Sequence, residues 1–166
     1  AYPSWSYFPR NSRPPQWAFD LVSETASVED FIHTREPGKP KGETSSDAVL
    51  AQLLRDYSDS DSRSKLVRRK IKDSRPVLFG DDGQAQLTYE VDAFQDEVGI
   101  AVEVEAGRGA QNGADYRNIV RTSLLLDADF LAMWLPAIYH YKQAGRPMKT
   151  AAYSSTRSTL GLLHDQ

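Results

Sequence analysis

The spacing of apolar residues changes period several times along the chain, and each change predicts an element. In "DAVLAQLLRDY", Asp47–Tyr57, residues Val49, Leu50, Leu53, Leu54 and Tyr57 recur at helical spacing, and Ser45 and Ser46 supply a helix start. A short helix is expected around Gln16–His33. "PVLF", Pro76–Phe79, reads as a strand, "GDDG" as a tight turn, and "QAQLTYEVDAF", Gln84–Phe94, as the returning strand. A second turn, "QDEVG", leads into "IAVEVEAG", Ile100–Gly107. The period then returns to helical: in "DYRNIVRTSLLL" Tyr116, Ile119, Val120 and Leu124 share a face, with Asp115 near the N-terminus where the helix dipole favours it. "DFLAMWLP", Asp129–Pro136, is a buried-type strand closed by proline. "TAAYSSTRSTLGLL" carries a less regular helical pattern. The order α-β-β-β-α-β predicts helices packed on one mixed sheet, a small α/β sandwich.

No internal repeat is present, and 166 residues fit a single domain spanning 1–166. Residues 1–44 are rich in Pro and aromatics ("AYPSWSYFPRNSRPPQW") and end in the loop "REPGKPKGETSS". Trp5, Tyr7, Phe8 and Trp17 are expected to pack this arm on the core, because so many aromatics left in water would make an adhesive patch.

Composition removes several classes of chemistry. There is no cysteine, so disulfides and thiolate-bound zinc are excluded. His33, His140 and His164 lie far apart and show no metal-ligand spacing. His140, between Tyr139 and Tyr141, reads as structural. No nucleophile-elbow motif occurs, and "GRGAQNG" lacks the GxGxxG pattern of a dinucleotide site. No run approaches the ~20 apolar residues of a membrane span, and a cytoplasmic location is expected.

Charge is unevenly distributed. The net charge is −3, yet "RSKLVRRKIKDSR", Arg63–Arg75, holds seven basic residues against one acidic residue. A helix through Leu66, Val67 and Ile71 is one reading of it. Arg68, Arg69 and Lys70 are its candidate phosphate contacts, the competing reading being a solvated surface.

Acidic residues interrupt the paired strands. Asp92 lies in the first; Glu103 and Glu105 lie in the second, separated by Val104. Side chains alternate faces along a strand, so Glu103 and Glu105 share one. An even turn, either two residues at Asp96-Glu97 or four from Asp96 to Gly99, pairs even positions with odd ones. Asp92, Glu103 and Glu105 then converge; a three-residue turn would separate them. Three adjacent carboxylates repel unless protonated or bound to cations, and an oxygen-only set favours Mg²⁺ or Mn²⁺. The competing reading is the wet face of an antiparallel hairpin.

"VDAFQDEVGIAVEVEAG" resembles the D…(D/E)-x-K signature of the PD-(D/E)XK nuclease superfamily, with Asp92, ten intervening residues, then Glu103-Val104-Glu105. The E-x-E ending is similar to that of the BamHI/BglII-like restriction endonuclease branch. The resemblance covers roughly Ser46–Pro136, and the element order matches that superfamily's core. It departs in two places: Val91 stands where the proline of "PD" would be, and the upstream helix acid has three candidates, Glu43, Asp47 and Asp73. The resemblance implies a restriction-endonuclease-like fold and a Mg²⁺- or Mn²⁺-dependent endonuclease acting on DNA. It further implies that Asp92, Glu103 and the Val104 carbonyl hold the metal, and that Glu105 occupies the lysine position, where it would bind a second ion or orient the attacking water. Arg117 and Arg121, one turn apart on the following helix, would meet the phosphate backbone. A homodimer would suit double-strand cutting. The alternative is a catalytically silent nucleic-acid-binding or interaction module that keeps the fold.

Overall fold

The computed structural model describes residues 3–26, 28, 46–59, 72–105 and 113–164. The basic residues Arg68, Arg69 and Lys70, with the helix expected around them, lie outside this set, as does Glu43. Among the described residues the chain is mixed α/β, with four helices and three small sheets. In chain order the elements are α1 (Gln16–Thr25), α2 (Ser46–Asp59), β1 (Asp73–Phe79), β2 (Ala85–Val91), β3 (Ala93–Gln95), β4 (Ile100–Val104), α3 (Ala114–Leu124), β5 (Phe130–Trp134), β6 (Tyr139–Gln143), β7 (Arg146–Thr150) and α4 (Ala152–His164).

The single mixed sheet expected from the sequence is divided. The run Gln84–Phe94 serves two sheets: β2 pairs antiparallel with β1, and β3 pairs antiparallel with β4. Asp92 is the bend between them. The mixed sheet has order β3-β4-β5, its β4 and β5 running parallel from Ile100↔Phe130 to Val104↔Trp134 with α3 between them in sequence. A third sheet, the hairpin β6–β7, follows. Its two-residue turn places Ala144 (φ 49°) and Gly145 (φ 77°) in the left-handed region, as a type I′ hairpin requires.

Alternation along β4 sets the core. Ile100, Val102 and Val104 face one side: Ile100 and Val102 pack with Trp17 of α1 and Phe130, while Val104 packs with Leu50 and Leu53 of α2 and with Trp134. Ala101 faces the other side with Phe94, Val91 and Leu125. The N-terminal arm docks on the body through Trp17, whose ring is tilted 60° against that of Phe130 with centroids 4.8 Å apart, and through Ser6, whose hydroxyl meets that of Tyr153 at 3.1 Å. Trp5 remains 38 % exposed against Phe19.

Helix α3 corrects the face read from its apolar spacing. Tyr116, Val120 and Leu124 are exposed, whereas Asp115, Asn118 and Thr122 are buried. The physical reason is what the inner face meets. Asn118 donates to Glu105 and Thr156 Oγ1 donates to Asp115 Oδ2 (3.3 Å), so the buried side chains of Asn118 and Asp115 find partners there.

Gly99 closes the β3–β4 loop at φ 74°. Its carbonyl accepts from the amides of Asp129 (2.8 Å) and Phe130 (3.0 Å). A Cβ there would stand 2.7 Å from the Asp127 carbonyl oxygen. Gly99→Ala therefore combines left-handed strain with a backbone clash, and a loss of about 2 kcal/mol or more is expected in urea unfolding.

Candidate active site

The four-residue version of the β3–β4 loop is the one formed, with Ala93↔Val102, Phe94↔Ala101 and Gln95↔Ile100 in register. Continuing that register puts Asp92 opposite Glu103, on the side of the sheet shared by Phe94 and Ala101. Glu105 lies two residues further along the same side, its amide held by the Trp134 carbonyl at 2.9 Å.

Asp92 is fixed from two directions. Its carbonyl accepts from the Lys72 amide at 2.9 Å, and its Oδ2 accepts from the Val104 amide at 2.8 Å. The bend that ends β2 thus uses a side-chain oxygen to hold the end of β4. Burial pushes the Asp92 carboxyl up, the Val104 hydrogen bond partly offsets this, and the nearby charges of Glu105 and Asp47 add to the rise while Lys72 opposes it. Of the two described candidates for the upstream acid, Asp47 and Asp73, it is the charge of Asp47, in the first turn of α2, that reaches Asp92. Asp73 is instead engaged by Arg75 at 3.4 Å.

Glu103 is half-buried, and its carboxyl is pushed up to about 8, by burial first and then by the charges of Asp92 and Glu105, while Arg121 and Arg117 oppose the rise. Both arginines are exposed on α3. The two cations read from the sequence as phosphate contacts thus stand within electrostatic reach of the central carboxylate. Arg121 also lies over the Tyr89 ring, 5.7 Å from its centroid.

Two residues at or near this face escaped the sequence reading. Asn118 is 3 % exposed, and its Nδ2 donates to Glu105 Oε1 at 2.8 Å. This leaves the other carboxylate oxygen of Glu105 uncommitted to that bond and fixes the rotamer. The signal was the polar stripe Asp115, Asn118, Thr122 at helical spacing, masked by the apolar residues beside it. The second is Arg75, which the sequence placed in the phosphate-binding run. It reaches Asp96 at 3.0 Å, Asp127 and Asp73, and stacks on Phe94 at 3.9 Å. Three carboxylates and a ring already occupy this guanidinium, so Arg75 ties β1 to two loops and is removed from the basic run's phosphate contacts. His140 lies on β6 and is exposed.

Among the described residues, no three His, Cys, Asp or Glu side chains form a ready-made ligand group. A magnesium ion commonly takes only one or two protein carboxylates and fills its octahedron with water and phosphate. The opposed pair Asp92 and Glu103, oxygen-only and mutually repelling, fits that donor set.

If Asn118 positions Glu105, then Asn118→Ala and Glu105→Gln produce the same symptom. For the Mg²⁺-dependent, DNA-cutting enzyme that the resemblance implies, each would raise the Mg²⁺ concentration for half-maximal activity by about 5- to 50-fold, with a smaller change in DNA binding. A metal titration of each variant checks this; unaltered titrations would make both side chains bystanders.

Compared with protein-family models, curated proteins and solved structures, the chain matches none of them.

Proposed function

We propose that the chain is a metal-dependent endodeoxyribonuclease of the PD-(D/E)XK type, with a restriction-endonuclease-like core, hydrolysing DNA phosphodiester bonds. The observation that carries the reading is the register: Asp92 opposite Glu103, with Glu105 on the same side and Arg117 and Arg121 within reach on α3. A wet hairpin face would not hold its acids half-buried within electrostatic reach of one another, nor tie one of them to the end of the neighbouring strand.

Asp92 and Glu103, with the Val104 carbonyl, would hold Mg²⁺ or Mn²⁺, and Glu105 would stand beside them. Such an ion, when bound, lowers the pKa of water and neutralises charge on the phosphate. The chain's own contribution is positional. The Val104 amide keeps Asp92 from rotating away, and Asn118 holds Glu105. Arg117 and Arg121 offer positive charge to the phosphate flanking the scissile bond. Glu105 cannot lend the cationic charge that lysine gives in the commoner motif, so these arginines take on more of that work.

Incubation with supercoiled plasmid and Mg²⁺, with EDTA as control, tests the proposal. Conversion to nicked or linear DNA only in the Mg²⁺ arm is expected. A plasmid untouched with both Mg²⁺ and Mn²⁺ would favour a silent binding module.

A further inference from the structure

We propose that the β6–β7 hairpin is a DNA-docking ribbon whose outward face meets the phosphates of a duplex. From Phe130 to His164 the chain holds four Lys or Arg and no Asp or Glu, within a protein whose net charge is −3. Three of those four, Lys142, Arg146 and Lys149, lie on this ribbon.

The register sorts the ribbon into two faces. Tyr139 opposes Thr150 and Tyr141 opposes Met148; the two tyrosine rings stack at 5.7 Å and, with Thr150, are half-buried. That is the more covered side, although Met148 stays exposed on it, and the Tyr153 amide, donating to the Pro136 carbonyl at 3.2 Å, ties the chain just before the ribbon to α4. His140 opposes Lys149 and Lys142 opposes Pro147 on the other face, all four exposed. Arg146 stands beside the turn, where Ala144 and Gly145 make the tight reversal. Lys142 and Lys149 are diagonal neighbours on one face, which concentrates positive charge there.

A ribbon of five residue pairs extends about 17 Å, and a two-stranded ribbon is an element that the major groove of B-DNA admits. Duplex DNA, with its dense phosphate charge, is the occupant this face complements. The choice of DNA over other polyanions rests on the nuclease reading above. These cations also fall outside the part of the chain that resembles a nuclease core, and add to the contacts expected from Arg117 and Arg121.

The test measures binding of a short fluorescein-labelled DNA duplex across a salt series in Mg²⁺, using the full chain carrying Glu103→Gln so that the duplex stays intact. The comparison adds Lys142→Gln, Arg146→Gln and Lys149→Gln together, with circular dichroism to confirm an unchanged fold. Each lost phosphate contact lowers the salt slope by about 0.9, so a fall of about 2–3 is expected, with affinity on the order of tenfold weaker at low salt. Binding with an unchanged slope overturns the ribbon and leaves the nuclease reading intact. Failure of both chains to bind duplex also overturns the ribbon. Ribbon-dependent binding by a chain whose wild type never cuts plasmid upholds the ribbon and removes the nuclease reading.

Discussion

Glu103→Gln is expected to lose cleavage by on the order of 10²–10³-fold or more and to be more heat-resistant than the wild type at pH 8. Both effects come from one carboxylate. Burial and the charges of Asp92 and Glu105 push Glu103 up to about 8, against an ordinary value of 4.5. Between those values the folded chain keeps a proton that the unfolded chain has released, so stability falls as pH rises through the window. Glutamine has no such equilibrium and is spared the decline. The side chain is only half-buried, so solvent screening reduces the difference to on the order of 1 kcal/mol, roughly 3 °C in Tm for a chain of this size. Thermal melts in EDTA at pH 5 and pH 8 check it: the variant's advantage appears at pH 8 and closes at pH 5. An advantage equal at both pH values would trace to packing. Added Mg²⁺ should stabilise the wild type at pH 8 and leave Glu103→Gln nearly unmoved, because a ligand of the folded state raises its stability only where it binds.

The strands and helices around Asp92 and Glu103 were legible because period-2 and period-3.6 patterns are local, and the parity of a hairpin loop decides which side chains share a face. Gly99 made the four-residue loop possible, and "QDEVG" was visible as a turn. The division of the sheet was not legible. "QAQLTYEVDAF" reads as one strand, since nothing in an alternation pattern reveals that Asp92 will bend the chain and trade a backbone partner for a side-chain one. Helix α3 misled for a different reason. Apolar spacing identifies a buried face only when the helix rests on an apolar surface. Here the inner face meets Glu105 and Thr156, so Asp115 and Asn118 turned inward, and Thr122, on the same helix face, is buried with them. Arg75 was assigned by its neighbours in sequence, whereas its partners Asp96 and Asp127 come from loops remote in the chain. The β6–β7 hairpin had its signal in Ala144-Gly145, a two-residue turn between short polar strands whose alternation is too weak to stand out.

Asp92→Asn and Asp92→Ala should be equally inactive and differ in stability, which separates the residue's charge from its hydrogen bond. Asparagine presents an amide oxygen where Asp92 Oδ2 accepts from the Val104 amide, so the end of β4 stays tied to the bend. It also removes a carboxylate that burial and the charges of Glu105 and Asp47 already disfavour. Asp92→Asn should therefore be as stable as the wild type at neutral pH, or slightly more. Alanine relieves the same repulsion and leaves the Val104 N–H without its partner, at a cost of about 1–3 kcal/mol. The lost hydrogen bond outweighs the relief, because exposed Lys72 already compensates part of the Asp92 charge. Urea unfolding should place Asp92→Ala on the order of 1–2 kcal/mol below Asp92→Asn, while neither variant nicks plasmid in Mg²⁺. Equal stability of the two would mean that the Val104 amide finds another acceptor. Cleavage by Asp92→Asn at the wild-type rate would move the active site away from this bend altogether.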